Sequence, residues 1–273
     1  MSIKLIASDL DGTLMSPDHL TVSKRTYNTL KTAHERGIKL AVATGRPLAL
    51  IDNVLDQVPF VDYVIYSNGA CAYDRNEKKA VHSDLIDNKK AMEIVEYFLS
   101  LDVFFEIYVN GRSCYQLNKA SLFNNMGLPQ EFLDEVASTM DGYDSLLDFM
   151  KNDGSGMEKI TFYGITGEVS ENIKTKLEQY GLVTCSSLPG TLEATNITAD
   201  KGNALKGICK SMGITSAEVM SFGDAENDCS MLEFAEHSFA MANGTNECKA
   251  SAKHITLSNA DDGVAVAIEK YAL

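Results

Sequence analysis

The sequence predicts an α/β protein in which a mainly parallel sheet core is interrupted by an inserted α+β domain. Strand-like and helix-like segments alternate from residue 3 to residue 66, and the same alternation resumes at residue 201. Strands separated by helices form right-handed βαβ units with parallel strands. Between these two regions, several strand-like segments follow one another closely, which is typical of antiparallel strands with helices on one face.

The first alternating region begins with an apolar strand and ends with a hairpin. Ser23 is the expected N-cap of the first helix, Gly37 its expected end, and Pro47 the expected first-turn residue of the second helix. The polar run 74–77 lies between two β-prone runs and predicts the hairpin. The predicted elements are strand 3–7, helix 23–36, strand 38–43, helix 47–58, strand 63–66 and hairpin 71–81.

The middle of the chain does not continue the alternation of strands and helices. Its predicted elements are helix 88–100, strand 104–109, returning strand 112–117, a polar and helical stretch, strand 159–163, helix 168–180 and two final strands around Pro189 and Gly190. Antiparallel neighbours with helices on one face describe an α+β domain. We assign residues 83–195 to this inserted domain.

The alternation of the first region resumes at Lys201. The predicted elements are helix 201–212, strand 218–222, helix 227–234, strand 238–241, helix 246–252 and helix 263–271. The core domain is therefore predicted to consist of residues 1–82 and 196–273, interrupted by the inserted domain.

Composition predicts a globular protein that handles a small molecule. The chain has 273 residues, of which 45% are hydrophobic, and a formal net charge of −14. This charge and the lack of a basic run argue against a nucleic-acid surface. The sequence shows no export signal and no apolar run long enough for a membrane span, and its six cysteines are scattered. We expect a cytoplasmic protein, either a monomer or a weak homo-oligomer.

Two carboxylates, Asp9 and Asp11, follow the first predicted strand. In open α/β sheets, ligands bind at the carboxyl ends of the strands. Strand alternation predicts that both carboxylates lie on one side, where two like charges need a proton or a cation. Oxygen ligands suit Mg²⁺, Gly12 permits a tight turn, and Thr13 adds a hydroxyl. On this fragment alone, a solvated Asp-Gly turn is an equal alternative.

Three further stretches are expected to end strands at the same sheet edge. Thr44-Gly45-Arg46 combines a hydroxyl, accessible backbone N–H groups and a helix start, which suits a phosphate. Lys201 begins a predicted helix and, close to two carboxylates, would act as an electrostatic clamp. The alternatives without a functional role are an ordinary strand-to-helix turn for Thr44-Gly45-Arg46 and a surface lysine for Lys201.

The third stretch, 223–228, follows an apolar strand with further acidic residues. Asp224 is the expected additional metal ligand, Asp228 a carboxylate behind the ligands, and Asn227 a neutral hydrogen-bonding group for phosphate or water. Acidic residues at a helix N-terminus are common. Four strand ends with complementary chemistry are not jointly common, so the combination favours a catalytic site.

Together these stretches resemble the four ordered motifs of the haloacid dehalogenase superfamily. The motifs are Asp9-x-Asp11-Gly12-Thr13, Thr44-Gly45-Arg46, Lys201 and Gly223-Asp224-x-x-Asn227-Asp228. The large insertion, together with the run 67–70 (Ser-Asn-Gly-Ala), resembles the Cof-type sugar-phosphatase subfamily with its type IIB cap. The resemblance covers essentially the whole chain. It implies a Rossmann-like core and Mg²⁺-dependent hydrolysis of phosphate esters through an aspartyl-phosphate.

The resemblance also implies a role for each matched residue. Asp9 is the nucleophile, and Asp11 protonates the leaving alcohol and then deprotonates the water. Mg²⁺ is held by the Asp9 side chain, the Asp11 main-chain carbonyl and Asp224, with Asp228 behind them. Arg46 is expected to face the cap and the substrate. The residues assigned to substrate and phosphate binding are Leu10, Thr44, Gly45, Arg46, Lys201 and Asn227.

One short run departs from the subfamily pattern. Ala242 and Gly244 stand where the subfamily has glycine and alanine, and Asn243 between them is expected to help position the metal loop.

Two other functions stay open at this point. A phosphomutase would use the same aspartyl-phosphate but shield it from water, and a regulator would bind Mg²⁺ and phosphate without turnover. The inserted domain is expected to supply the leaving-group pocket. A small phosphorylated metabolite is the expected partner: sugar phosphates are the default substrates, while pyridoxal phosphate, flavin mononucleotide and small polyol phosphates remain alternatives.

Overall fold

The computed structural model describes residues 2–123, 134, 136–186 and 190–273, and the chain divides into two compact units. The core unit consists of Met1–Arg46, Ile51–Ser83 and Asp200–Leu273. The inserted unit consists of Pro47–Leu50 and Asp84–Ala199. The borders predicted from the sequence were 82/83 and 195/196, with residues 47–50 in the core.

An eight-stranded sheet forms the centre of the core unit. Its strands, numbered along the chain, are β1 (Leu5–Asp9), β2 (Lys39–Ala43), β3 (Tyr63–Tyr66), β4 (Cys71–Asp74), β5 (Lys79–Ser83), β12 (Val219–Gly223), β13 (His237–Ala240) and β14 (His254–Ile255). The strand order is β14-β13-β12-β1-β2-β3-β4-β5. The pairs from β14 to β3 are parallel, whereas β4 and β5 pair antiparallel.

Helices connect the parallel strands of the core unit. They are α1 (Lys24–Glu35), α2 (Asp52–Gln57), α7 (Lys201–Met212), α8 (Cys229–Phe234), α9 (Asn246–Ser251) and α10 (Gly263–Tyr271). Short 3₁₀ turns span Ser67–Gly69, Ser216–Glu218, Glu226–Asp228 and Asn259–Asp261, and a π-type turn spans Leu10–Leu14. Ser23 is the N-cap of α1, as predicted, because its side chain accepts a hydrogen bond from the Thr26 N–H at 3.0 Å.

Strand register brings three loop starts to one edge of the core sheet. Asp9 at the end of β1 pairs with Ala43 of β2, and Ser8 pairs with Phe222 of β12. Parallel strands in register end together, so the residues that follow them are neighbours. The predicted meeting of the first, second and last motifs at one sheet edge is therefore confirmed.

The inserted unit contains a six-stranded sheet. Its strands are β6 (Phe104–Val109), β7 (Arg112–Gln116), β8 (Met140–Tyr143), β9 (Lys159–Tyr163), β10 (Leu182–Cys185) and β11 (Thr191–Asn196). Their order is β10-β11-β9-β6-β7-β8, with every pair antiparallel except β7 and β8. Its helices are α3 (Asn88–Leu99), α4 (Ala120–Phe123), α5 (Leu146–Asp153) and α6 (Gly167–Gln179), with 3₁₀ turns at Leu48–Leu50 and Leu117–Lys119.

One face of this second sheet is apolar and packs against helices of its own unit. Phe105 and Phe162 from the sheet lie in one buried cluster with Phe98 of α3 and Leu177 of α6. Alternate strand residues point to opposite faces, so the remaining positions form a second face. In the described part of the chain, none of the helices is long and apolar enough to cross a membrane.

The second face of this sheet carries a buried carboxyl group, Glu106. Its side chain accepts hydrogen bonds from the hydroxyls of Tyr108, at 2.9 Å, and of Ser113 and Tyr163. Burial raises the pKa of Glu106 above its ordinary value, although these hydroxyls and the charge of Lys159 act to lower it.

Two predicted elements of the core need correction. The first strand was predicted at 3–7 but spans Leu5–Asp9, so Asp9 is the last residue of the strand. A continuous helix at 47–58 is wrong, because a 3₁₀ turn at Leu48–Leu50 precedes α2. The helical conformation is interrupted at Ile51, whose φ of −120° and ψ of 0° are not helical, and the Ala49 N–H in the preceding turn donates to the Gly111 carbonyl of the inserted unit at 2.9 Å.

Two strands, β8 and β14, were not predicted. β8 lies in the stretch predicted as polar and helical, in which helix α5 agrees with the prediction, and β14 has only two residues. Strands β10 and β11 match the two final strands expected near residue 190. Pro189 and residues 124–133 and 135, which the predictions also covered, lie outside the described residues.

The raised pKa of Glu106 predicts a pH-dependent stability. Because the folded protein binds this proton more tightly than the unfolded chain, the contribution of Glu106 to the free energy of unfolding is full below about pH 4.5 and is lost as the pH rises through the raised pKa. Urea denaturation from pH 4.5 to 8 should therefore show the wild type losing stability relative to Glu106→Gln. A relative stability that rises with pH would contradict this assignment.

Candidate active site

Asp9, the last residue of β1, has a buried carboxylate. The residue exposes 6% of its surface, and Lys201 Nζ donates a hydrogen bond to Asp9 Oδ1 at 2.7 Å. Burial raises the pKa of Asp9 well above its ordinary value, and the charge of Asp228 raises it further, against the lowering effect of Lys201. The buried ammonium therefore holds this carboxylate and offsets part of the repulsion around it.

Lys201 is the first residue of α7 and is fully buried. Its Nζ also donates to Asp228 Oδ1 at 2.6 Å. Burial acts to lower the pKa of Lys201, but the charges and hydrogen bonds of Asp228 and Asp9 outweigh burial and raise it above its ordinary value. The helix itself begins at the N-cap Asp200, whose Oδ1 accepts from the Asn203 N–H at 2.7 Å. A buried ammonium thus connects a carboxylate at the end of β1 with one in the turn Glu226–Asp228.

The route by which Lys201 reaches the site differs from the predicted one. Lys201 was predicted to follow a strand of the core sheet, which is wrong, because the preceding strand, β11, belongs to the sheet of the inserted unit. The start of α7 instead packs against the turn Ser67–Gly69 that follows β3. A Cβ on Gly69 would lie 2.2 Å from the Asp200 carbonyl oxygen.

A tight turn over Leu10–Leu14 separates Asp11 from Asp9. Gly12 has a φ of 82°, and a Cβ there would lie 2.5 Å from Asp224 Oδ2. Glycine therefore serves both the left-handed dihedral and the close approach of the carboxylate. Because strand geometry ends at Asp9, the alternation that predicted the two carboxylates on one side does not extend to Asp11.

The Asp11 carboxylate forms a two-point ion pair with Arg46. Arg46 Nη2 donates to Asp11 Oδ1 at 2.7 Å and Arg46 Nε to Oδ2 at 3.0 Å, while His19 Nδ1 lies 3.2 Å from Oδ1. Burial acts to raise the pKa of Asp11, but the hydrogen bonds and charges of His19 and Arg46 outweigh burial and lower it to about 2. Asp11 is therefore ionised in this arrangement, and the fork of the guanidinium fixes the plane of the carboxylate.

Asp224 and Asp228 complete the acidic part of the site. Thr13 Oγ1 donates to Asp224 Oδ1 at 2.7 Å, and Asp228 Oδ2 accepts from the N–H groups of Asp224 and Ala225 at 2.9 and 3.0 Å. Burial raises the pKa of Asp224 to about 6; the Thr13 hydrogen bond opposes this rise, and the charge of Asp228 adds to it. Asp228 thus fixes the loop that carries Asp224.

The donor set fits Mg²⁺. Asp9, Asp224 and Asp228 each offer a carboxylate oxygen, and these atoms lie within 4.8 Å of one another. When all three are ionised, the ammonium of Lys201 leaves two negative charges, which one divalent cation balances. Carboxylate oxygens are the hard ligands that Mg²⁺ prefers. The Asp11 carboxylate lies with Arg46 instead, so the contribution expected from Asp11 is its main-chain carbonyl.

The second motif lies beside this cluster. Thr44 follows β2 and is buried, and its Oγ1 accepts from the Arg46 N–H at 3.1 Å. Gly45 is half-buried between these residues. The Arg46 guanidinium was expected to face the cap and substrate, and the structure places it on Asp11. The Thr44-Gly45-Arg46 turn thus places the Arg46 cation on Asp11, the acid–base candidate.

The remaining predicted phosphate ligands lie on two turns of the core unit. Asn227 sits in the turn Glu226–Asp228, and its Nδ2 donates to Asn68 Oδ1 at 3.2 Å. The Leu10 side chain is fully buried, so only its backbone is available to a ligand.

Sequence reasoning missed two polar partners of these residues. His19 contacts Asp11 from an exposed loop position, and a lone histidine eight residues away gives no signal of that contact. Asn68 lies in the run 67–70 that the sequence analysis noted only for its resemblance. The expected aid from Asn243 has a physical basis, because its Nδ2 donates to the Gly12 carbonyl at 2.8 Å.

Known proteins resemble this chain in sequence and in fold. A family model described as haloacid dehalogenase-like hydrolase matches residues 6–268. Phosphatase YwpJ of Bacillus subtilis is 31% identical, over 96% of this chain and 98% of that protein. A solved haloacid dehalogenase-like hydrolase from B. subtilis has a TM-score of 0.84 at 28% identity, covering 99% of this chain and 100% of the other.

A fold likeness extends to a cap subclass. The solved HAD subclass IIB sugar phosphatase BT4131 has a TM-score of 0.81 at 24% identity, and 98% of each chain is covered. The predicted fold class, an α/β core with an inserted α+β cap, is therefore confirmed. The enzyme class predicted from the motifs agrees with the matched family and with the phosphatase relative. The chain therefore belongs to the haloacid dehalogenase-like hydrolases, as an enzyme of the phosphatase class.

Proposed function

We propose that this enzyme hydrolyses small phosphate monoesters with Mg²⁺ through an aspartyl-phosphate on Asp9. The observation that carries the proposal is the buried cluster in which Lys201 joins Asp9 to Asp228 beside Asp224. A carboxylate with only a structural role does not require a fixed ammonium and two further acidic side chains around it. A nucleophile that must meet a phosphate dianion needs both of these features.

In the first step, an Asp9 carboxylate oxygen attacks phosphorus. A bond forms between Asp9 and phosphorus, the ester P–O bond breaks, and the leaving alkoxide takes a proton from Asp11. The products are the free alcohol and an aspartyl-phosphate. Because strand β1 and Lys201 hold Asp9 in one orientation, little ordering is required at the moment of attack.

In the second step, water replaces the carboxylate on phosphorus. Asp11 accepts a proton from the attacking water, a new P–O bond forms, and the bond to Asp9 breaks. The products are inorganic phosphate and the regenerated Asp9 carboxylate. Asp11 acts first as an acid and then as a base, so it regains in the second step the proton that it gives up in the first.

The pairing of Asp11 with Arg46 sets a requirement for the first step. With a pKa of about 2, Asp11 holds no proton in the arrangement described here. A general acid must carry its proton when the leaving group departs. We infer that Arg46 leaves Asp11 when the substrate binds, which removes one of the two contacts, with His19 and with Arg46, that lower the pKa of Asp11. Arg46 then becomes available as a cation for the substrate.

The charges of the transferring phosphoryl group are balanced by groups on three loops. Lys201 supplies the buried cation, and Thr44 and Asn227 supply neutral donors. When bound, Mg²⁺ would supply electrostatic stabilisation of the phosphoryl oxygens; the Asp9 and Asp224 carboxylates and the Asp11 main-chain carbonyl would hold it, with Asp228 behind them. Leu10 and Gly45 contribute through their backbone N–H groups.

Sugar phosphates are the proposed substrates. The proposal is supported by the fold likeness to the sugar phosphatase BT4131 and by the run 67–70, which resembles the Cof-type subfamily. The inserted unit, proposed to span residues 83–195, is the part that we expect to select the leaving group. The cytoplasmic location and the monomeric or weakly associated state stay predictions from the sequence.

Replacing the nucleophile should abolish turnover without unfolding the protein. Asp9→Asn is nearly isosteric, but its amide cannot form the phosphoenzyme, so phosphate release should fall on the order of 1,000-fold or more. We would measure release from p-nitrophenyl phosphate and a panel of sugar, polyol, pyridoxal and flavin phosphates, with Mg²⁺ or with EDTA. Asp56→Asn, at an exposed position on α2, is the matched control and should retain wild-type activity. Release that survives both EDTA and Asp9→Asn would refute the proposal.

Replacing the acid–base residue should separate the two steps. p-Nitrophenolate leaves without a proton, so Asp11→Asn should still form the aspartyl-phosphate from this ester but hydrolyse it roughly 100- to 10,000-fold more slowly. Stopped-flow absorbance should then show a burst of p-nitrophenolate equal to the enzyme concentration, followed by slow turnover. A variant with the wild-type steady-state rate would remove Asp11 from the mechanism.

A further inference from the structure

The turn Ser67–Gly69 joins three of the site motifs, although no motif of the proposed mechanism includes it. All three residues are buried in the core unit and adopt left-handed backbone conformations, with φ values of 52°, 56° and 94°. Left-handed conformations are unfavourable for residues that carry a Cβ, and they persist where the surrounding structure holds them. Three in succession beside a candidate active site indicate a turn kept for its geometry.

Backbone hydrogen bonds tie this turn to the second motif. The Ser67 N–H donates to the Arg46 carbonyl at 3.0 Å, and the Asn68 N–H donates to the Thr44 carbonyl at 3.1 Å. These two bonds fix the main chain on both sides of Gly45. The orientation of the Thr44-Gly45-Arg46 turn therefore depends on the turn that follows β3.

The same turn also contacts the other two motifs. Gly69 packs so closely on the start of α7 that a Cβ would lie 2.6 Å from the Lys201 backbone nitrogen. The Asn68 side chain reaches the last motif, where its Oδ1 accepts from Asn227 Nδ2 at 3.2 Å. An amide nitrogen has two N–H groups, so this bond orients Asn227 while leaving its second N–H for a ligand.

We propose that Asn68 is a positioning residue that orients the Asn227 amide toward the transferring phosphoryl group. The inference rests on the proposed phosphatase function. In this role Asn68 does not contact the reacting atoms: its buried side chain, 5% exposed, holds the Asn227 amide, which is the donor proposed to contact them. Asparagine suits the position because it tolerates left-handed backbone better than other residues with a side chain of this size.

A double-mutant cycle tests this proposal. Asn68→Gly removes the side chain but keeps the left-handed backbone that glycine favours. We expect kcat/KM for p-nitrophenyl phosphate to fall roughly tenfold, as for the loss of one hydrogen bond that orients a donor. Asn227→Ala should lose at least as much, and the double variant should lose no more than Asn227→Ala alone, because the proposed effect of the Asn68 side chain on turnover passes through the Asn227 amide.

Controls separate positioning from a change in backbone or fold. Lys78→Gly introduces glycine at another left-handed position, φ 52°, in the exposed hairpin of the core unit, and should keep wild-type kcat/KM. Asn68→Ala removes the same amide without adding backbone freedom and should give the same loss as Asn68→Gly, so the test stands if one variant fails to fold. Thermal unfolding followed by circular dichroism identifies any variant that does not fold.

Binding of inorganic phosphate, measured by calorimetry with Mg²⁺, provides a second readout. We expect Asn68→Gly to bind phosphate several-fold more weakly than the wild type does. In a protein that already carries Asn227→Ala, adding Asn68→Gly should not change the affinity for phosphate. Two results would overturn the proposal. One is a double variant whose loss equals the product of the losses of the two single variants; the other is an Asn68→Gly variant that stays within twofold of the wild type in both measurements. If the wild type binds phosphate but hydrolyses no ester, the proposed function is overturned. The role of Asn68 would then be tested by the phosphate-binding measurement alone.

Discussion

Lys201 Nζ lies fully buried between two carboxylates, 2.7 Å from Asp9 and 2.6 Å from Asp228, and the geometry of the site depends on these two contacts. Removing charges from water is costly, and a buried ammonium persists only when carboxylates surround it. Because the three charged groups come from β1, α7 and the loop after β12, one interaction fixes three segments that are distant in the chain. Loss of the ammonium would leave two buried carboxylates without compensation.

The remaining polar contacts follow from the same constraint. Asp228, oriented by Lys201, accepts the N–H groups that shape the loop of Asp224, and Asp224 accepts the Thr13 hydroxyl of the turn after β1. On the far side of that turn, Arg46 pairs with Asp11. In a chain of net charge −14, Lys201 and Arg46 offset two of the four carboxylate charges of the site, and a divalent cation would balance the remaining two.

Local sequence was sufficient for the sheet and for most of the site. Apolar runs that alternate with helix-like segments predicted β1, β2, β3 and β12, and parallel order then brought their carboxyl ends together. Strand β8 was missed because its sequence, Met-Asp-Gly-Tyr, contains two residues that are rare in strands. Its pairing with β7 depends on tertiary contacts rather than on local preference.

The partners of individual side chains were beyond sequence reasoning. The alternation expected for Asp11 was wrong because the strand ends at Asp9 and Asp11 lies in the turn Leu10–Leu14. The Arg46–Asp11 pair and the Asn68–Asn227 bond join residues 35 and 159 positions apart, so neither leaves a periodic pattern. Lys201 was identified correctly as a cation near carboxylates, but its route through the inserted unit required the sheet topology.

The most direct test of the central claim is to identify the residue that carries the phosphoryl group. Borohydride reduces an acyl phosphate to an alcohol, so quenching the enzyme with borohydride during turnover marks the phosphorylated side chain, and peptide mass spectrometry locates it. Our account predicts conversion of Asp9 to homoserine, dependent on Mg²⁺ and on substrate. Steady turnover with no reduced residue, or with the mark on another side chain, would contradict it.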